Sequence, residues 1–174
     1  ITIFSRADGV LQGAVVRASG GDIADVQPRG GPIGTSVSVR NLYFNTPARR
    51  RFLKSRGAEA GRINQLVGHF ALAYPEIRFS VNSDGRTVLN TPGSGRLIDA
   101  VRVVTGIRDP ERLIEASDED GTGLSITGYV SAANTHYATR QNQVIMVNRR
   151  MVQNRALSYG LEDAYQPALP SGCL

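Results

Sequence analysis

The chain has 174 residues, with 41% hydrophobic, 20% charged and a formal net charge of +5. That is enough for one or two domains with a real core, and no apolar run is long enough to span a bilayer. A single cysteine, Cys173, excludes an internal disulfide and a cysteine metal cage, and fits a reducing compartment. There is no secretory signal pattern, and the sequence, which opens at Ile1, reads as a piece of something longer.

In chain order, short strands are predicted at Ile1–Ser5, Ala14–Ala18 and Ile23–Val26, with turns at Asp8-Gly9 and Gly20-Gly21-Asp22. A glycine-rich connector from Pro28 to Gly34 leads to a strand over Thr35–Arg40. There Val37 and Val39 alternate with Ser36, Ser38 and Arg40, the period of a half-buried strand, and Leu42 follows. Asn45-Thr46-Pro47 reads as a polar N-cap followed by proline at the first helical position. The predicted helix Pro47–Ser55 carries Arg49, Arg50, Arg51 and Lys54, with Arg56 just after, a cation load that opposes its macrodipole. A second helix, Glu59–Ala73, has Ile63, Leu66, Val67, Phe70 and Tyr74 as its apolar stripe and stops at Pro75.

Ile77, Phe79 and Val81 alternate as a strand, Asp84-Gly85 turns it, and Thr87–Leu89 returns as a hairpin partner. Leu97, Ile98, Val101 and Val104 predict a helix over Gly95–Thr105. Strands follow at Leu113–Ala116 and Leu124–Val130 around an acidic turn, Asp118-Glu119-Asp120. An apolar strand over Asn142–Asn148 and a helix over Met151–Tyr165 close the pattern. No internal repeat or low-complexity segment is present. The class is α+β.

The charge is segregated. From Val26 to Ala58 there is no acid and there are seven cations: Arg29, Arg40, Arg49, Arg50, Arg51, Lys54 and Arg56. From Gly121 to Leu161 there is again no acid, with Arg140, Arg149, Arg150 and Arg155. Outside these windows acids outnumber cations fifteen to nine. An anion-binding surface requires this kind of segregation, and nucleic acid is the first candidate.

Catalytic alternatives are poorer. No GxxxxGK[ST] phosphate loop is present, and the glycine pairs at 20–21 and 30–31 read as turns. His69 borders an apolar stripe, and His136 has no Asp or Cys partner nearby in sequence. The acids at 118–120 are consecutive and seldom converge on one ion in such a turn.

Two segments carry a resemblance. The run from Gly34 to Lys54, GTSVSVRNLYFNTPARRRFLK, and the run from Val144 to Arg155, VIMVNRRMVQNR, resemble signature segments of the MutL family of DNA mismatch repair proteins. Gly128–Ser131 sits where that family has a similar strand end. The resemblance covers the whole chain but only part of the family's ATPase region.

It implies that residues 1–40 are the closing strands of a GHKL (Bergerat) ATPase domain. Residues 41–174 would then be an incomplete ribosomal-protein-S5-like transducer and DNA-binding domain, a mixed sheet with helices. That fold carries a left-handed βαβ crossover, against the right-handed default. By the same resemblance, Thr35 in Gly34-Thr35-Ser36-Val37 supports adenine recognition. The intact protein would use ATP and Mg²⁺, whereas this piece, without catalytic Glu, Mg²⁺-ligating Asn or lid, would bind no cofactor and be inactive alone. Arg149, Arg150 and Arg155 would line a sequence-independent DNA groove, with Arg49, Arg50, Arg51 and Lys54 as the other basic set. Arg149 stands where the family often has Gly, and Gln153 where it often has Arg.

Implied partners are DNA, the mismatch-recognition protein MutS, a downstream nuclease or helicase, and a second copy of the chain, in a bacterial cytoplasm. Two other functions fit the same residues: an S5-like RNA-binding module, and a scaffold whose basic face docks acidic protein.

Overall fold

The computed structural model describes residues 1–132, 142–165 and 167. His136, Arg140 and Cys173 lie outside the described residues. The chain divides into two compact units, Ile1–Ser55 and Arg56–Leu174.

The first unit is an antiparallel sheet built from β1 (Thr2–Arg6), β2 (Gly13–Ser19), β3 (Asp22–Ile23), β4 (Gln27–Arg29) and β5 (Gly34–Ser38). Its order is β3-β2-β1-β5, and β4 also pairs with β2. Phe4 and Val15 face each other across β1 and β2 and are the buried apolar pair. Gly31 closes over that pair: a Cβ there would lie 2.5 Å from Phe4 Cζ, so no larger residue fits without displacing the ring. The connector expected over Pro28–Gly34 therefore begins as strand β4. The alternation expected in β5 is present, but its burial is not. Val37 is 61% exposed, on a strand that stands at the edge of the sheet beside β1 among the described residues.

After β5 the chain makes two tight turns, Phe44 N–H to Asn41 O at 3.0 Å and Thr46 N–H to Tyr43 O at 3.2 Å. Asn41 and Tyr43 take positive φ values of 51° and 61°. They deliver Thr46 to the N-cap and Pro47 to the first position of α1 (Pro47–Arg51), though the Thr46 side chain makes no capping bond. The helix is shorter than the predicted Pro47–Ser55. Its end tightens into i→i+3 bonds, Phe52 N–H to Arg49 O and Leu53 N–H to Arg50 O, which stop propagation.

The second unit opens with α2 (Arg56–Ala73), then the β6 (Ser80–Ser83) and β7 (Arg86–Asn90) hairpin, and α3 (Leu97–Thr105). Asp84 and Gly85, both at positive φ, form the predicted turn. Thr91, 2% exposed, locks the open end of the hairpin. Its Oγ1 accepts from Phe79 N–H at 3.0 Å, and its own N–H donates to Phe79 O at 2.9 Å. α3 ends at Gly106 in the left-handed conformation, whose N–H returns to Arg102 O.

The core of this unit is Ala71, Ala73, Leu89 and Ala100, with Gly68. A Cβ on Gly68 would meet Val104 Cγ1 at 3.2 Å, so α2 and α3 pack through small residues. This corrects the predicted stripe. Ile63 and Leu66 are 55% exposed and Phe70 48%, because the close approach of α3 selects the glycine and alanines on the other face.

β8 (Leu113–Glu119) and β9 (Ser125–Ser131) form a long antiparallel hairpin, with Asp118 and Glu119 inside the strand rather than in the turn. β10 (Ile145–Val147) and β11 (Arg150–Val152) form a short hairpin, and α4 (Arg155–Tyr165) follows. The predicted helix over Met151–Tyr165 thus starts four residues late. The Asn148–Arg149 turn inserts β11, and Asn154 caps the helix through Oδ1, which accepts from Ala156 N–H at 2.9 Å. All strand pairs among the described residues are antiparallel, so no hydrogen-bonded parallel crossover is present to carry a hand.

Candidate nucleic-acid interface

Each predicted basic cluster lies within one unit, and each is placed by the local features just described. In the first unit α1 projects Arg49, Arg50 and Arg51, all exposed and all in its last turn. The predicted conflict with the macrodipole is thereby reversed, because cations in a last turn are favoured. Lys54 is exposed but lies beyond α1, so it is not an i, i+4 helical neighbour of Arg50. Arg56 opens α2 instead and pairs with Asp84.

In the second unit Arg150 opens β11 and Arg155 opens α4, three residues after that strand ends. Both are exposed. By strand alternation Arg150 shares a face with Val152. Among the described residues Arg49, Arg50, Arg51, Arg150 and Arg155 make no ion pair, whereas Arg56, Arg62, Arg96, Arg112 and Arg149 pair with Asp84, Glu59, Asp99, Asp109 and Glu76. Arginines such as Arg17 and Arg86 also lack an acid, so a missing partner alone does not mark a site. What sets the two clusters apart is that they lie in acid-free windows of the sequence.

Arg149 differs from the rest. With Asn148 it forms the hairpin turn at φ values of 49° and 64°. The left-handed conformation costs a non-glycine residue about 1–2 kcal/mol. Its Nη1 donates to Glu76 Oε1 at 2.5 Å, and its guanidinium stacks 5.1 Å from the centroid of Tyr74. Such a cation–π contact contributes about 0.5–1 kcal/mol where exposed, and the ion pair adds to it. The Glu76 carboxyl is held below its ordinary range, first by a hydrogen bond to its own backbone N–H and then by Arg149. Neither Glu76 nor Tyr74 was marked as a site residue by the sequence. Glu76 is 73 positions from Arg149, and no local pattern announces the pairing.

Thr35 and Asp120 are each hydrogen-bonded within their own unit. Thr35 lies on β5 opposite Ser5, and the two hydroxyls share a 2.8 Å hydrogen bond. Asp120 Oδ1 accepts from Thr122 N–H at 2.9 Å and Thr122 Oγ1 at 2.7 Å, which keeps its carboxyl acidic and shapes the β8–β9 turn. His69 is partly buried on α2, and burial lowers its pKa. Among the described residues no group of three or more His, Cys, Asp or Glu could hold a metal. The Thr35 hydroxyl keeps hydrogen-bonding capacity beyond its bond to Ser5, so that pairing is compatible with a contact to a nucleotide.

An open groove of 1610 Å³ in the second unit is lined by Leu97, Val101, Ile126 and Leu157 among others. Of the predicted DNA-contacting residues its lining includes Arg149 alone. No described helix is long and apolar enough to cross a membrane.

Comparisons with known proteins define the class. Residues 101–173 match the family described as DNA mismatch repair protein, C-terminal domain. The chain is 34% identical over 172 residues to a DNA mismatch repair protein MutL of Halothermothrix orenii, covering 99% of this chain and 27% of that protein. For the Desulforudis audaxviator MutL the figures are 36%, 99% and 30%. The chain therefore spans less than a third of the length of these curated relatives.

The Aquifex aeolicus MutL ATPase domain complexed with ADP superposes with a TM-score of 0.78 at 30% identity, over 93% of this chain and 62% of that one. A second structure, the ATPase domain of the Aquifex aeolicus mismatch repair endonuclease MutL, gives 0.79 at 27% identity, over 97% and 62%. The chain belongs to the MutL family of DNA mismatch repair proteins, and its α+β fold is that of the family's S5-like domain joined to strands of its ATPase region.

Proposed function

We propose that this chain supplies a sequence-independent DNA-binding surface to a MutL-type mismatch repair protein. Arg49, Arg50, Arg51 and Lys54 make one basic patch, and Arg150 and Arg155, with Arg149 beside them, make the other. The observation that carries this reading is the pair of acid-free windows. Their clustered arginines are solvent-exposed, and five of them form no ion pair among the described residues. Residues 1–40 are read as closing strands of the ATPase domain and 41–174 as transducer; the family match at 101–173 falls inside the latter block and supports it.

In the intact protein we assign Thr35 to the support of adenine, in keeping with the related ATPase domain complexed with ADP. ATP-driven dimerisation would then be coupled to closure on DNA and to signalling towards MutS and a downstream nuclease or helicase, in the bacterial cytoplasm. The chain alone performs only the DNA-binding half of that cycle.

Competition between duplex DNA and duplex RNA, across a range of salt, tests this. Neutralising about four to six phosphates gives a log–log salt slope of about −4 to −5 for DNA, with no dependence on 2′-hydroxyls. A marked RNA preference, or tight binding of acidic protein with DNA ignored, would replace this reading with the RNA-module or scaffold alternative.

A further inference from the structure

The β10–β11 hairpin carries Arg150 on its second strand and reaches Arg155 through Gln153 and Asn154, so whatever fixes the hairpin also fixes these two cations. Its tip is the Asn148–Arg149 turn, in which an arginine occupies a left-handed position that suits glycine better. The side chain, although 57% exposed, bends back over the protein surface. It reaches the segment after α2, where Glu76 accepts from Nη1 at 2.5 Å and Tyr74 lies beneath the guanidinium. Elsewhere in the block, Tyr165 Oη donates to Ser131 O at 2.9 Å and Gln143 Nε2 donates to Glu162 Oε1 at 3.2 Å. These bonds hold the far end of α4 and the approach to β10. The tip is tied through Arg149.

We propose that Arg149 is a positioning residue: clamped by Glu76 and Tyr74, it sets the hairpin and so aims Arg150 and Arg155 at the DNA backbone, without meeting a phosphate itself. The donor geometry favours this division of labour. A guanidinium held by a carboxylate and an aromatic face is restricted in where its remaining donors can reach, whereas Arg150 and Arg155 have no ion pair to restrict them among the described residues. The consequence for DNA rests on the proposed function; the clamp does not.

A charge swap separates the two. In the 174-residue chain, R149E and E76R are made singly and together, with the R150E/R155E pair as the DNA control. Hydrogen exchange at the 145–152 amides reads the clamp, and duplex-DNA affinity reads its consequence. Each single variant speeds hairpin exchange and weakens DNA binding by about three- to tenfold, a coupling expected of contacting residues. The double variant brings both back to within about twofold of the parent, although it places a glutamate at the tip. If exchange recovers in the swap but affinity stays at the R149E level, Arg149 is itself a phosphate ligand and the proposal is overturned. Hairpin exchange that ignores the single substitutions removes the clamp altogether. If R150E/R155E leaves DNA binding unchanged, the DNA-binding surface fails on this hairpin and the aiming role falls with it, while the exchange result still decides the clamp.

Discussion

The two basic clusters rest on very different supports. α1 is a five-residue helix that follows an open sheet whose buried apolar pair is Phe4 and Val15, and among the described residues its arginines are set by a proline start and a tightened last turn, with no ion pair. Arg150 and Arg155 sit on a capped helix and a hairpin pinned at its tip, in a unit with a helix–helix core around Ala71 and Ala100. The contrast teaches that a similar local charge arises from two designs, one set by sequence adjacency and the other by tertiary ties. The first needs no partner to be recognised. The second stays invisible until residues far apart in sequence are brought together.

This difference is open to measurement, beginning with the largest effects. Phe4→Ala removes the buried ring that Gly13 and Gly31 abut and is expected to cost the first unit about 3–5 kcal/mol. Local hydrogen exchange should accelerate in β1, β2 and β5 while the α2–α3 amides keep their protection. Leu89→Ala, at a site 6% exposed beneath α2 and α3, should cost the second unit about 2–5 kcal/mol, with the complementary exchange pattern. Equal loosening of both units by either change would erase the contrast.

Asn154→Ala deletes the cap of α4 and is expected to lose about 1 kcal/mol, visible as fraying at Ala156 and Leu157. The smallest effect concerns acid. Because the Glu76 pKa is lowered on folding, its contribution is fully present above the ordinary glutamate pKa of about 4.3 and is lost as pH falls through the lower folded value. Thermal midpoints of the parent and Glu76→Gln should therefore differ near neutral pH and converge in strong acid; a constant difference down to that range would contradict the pairing.

Much of the fold was legible where chemistry is local. Asp84-Gly85 is an explicit hairpin turn and Pro47 an explicit helix start. What stayed hidden was decided at a distance. The buried face of α2 is its glycine and alanine side, chosen by α3, so the large residues Ile63, Leu66 and Phe70 misled the periodicity. The 148–149 turn is made by asparagine and arginine, with no glycine to signal it, so its strand–turn–strand reads as parts of the flanking elements. Of the candidate site, the cations were readable from the missing acids, whereas Glu76 and Tyr74 were not.

The most direct test of the central claim is the salt dependence of duplex-DNA affinity for the parent chain, R49E/R50E/R51E and R150E/R155E. A parent slope of about −4 to −5, cut by about 2 or more units in R150E/R155E and also reduced in the α1 variant, is the predicted result. Weak, salt-insensitive binding shared by all three would contradict it and leave both clusters without a role in gripping DNA.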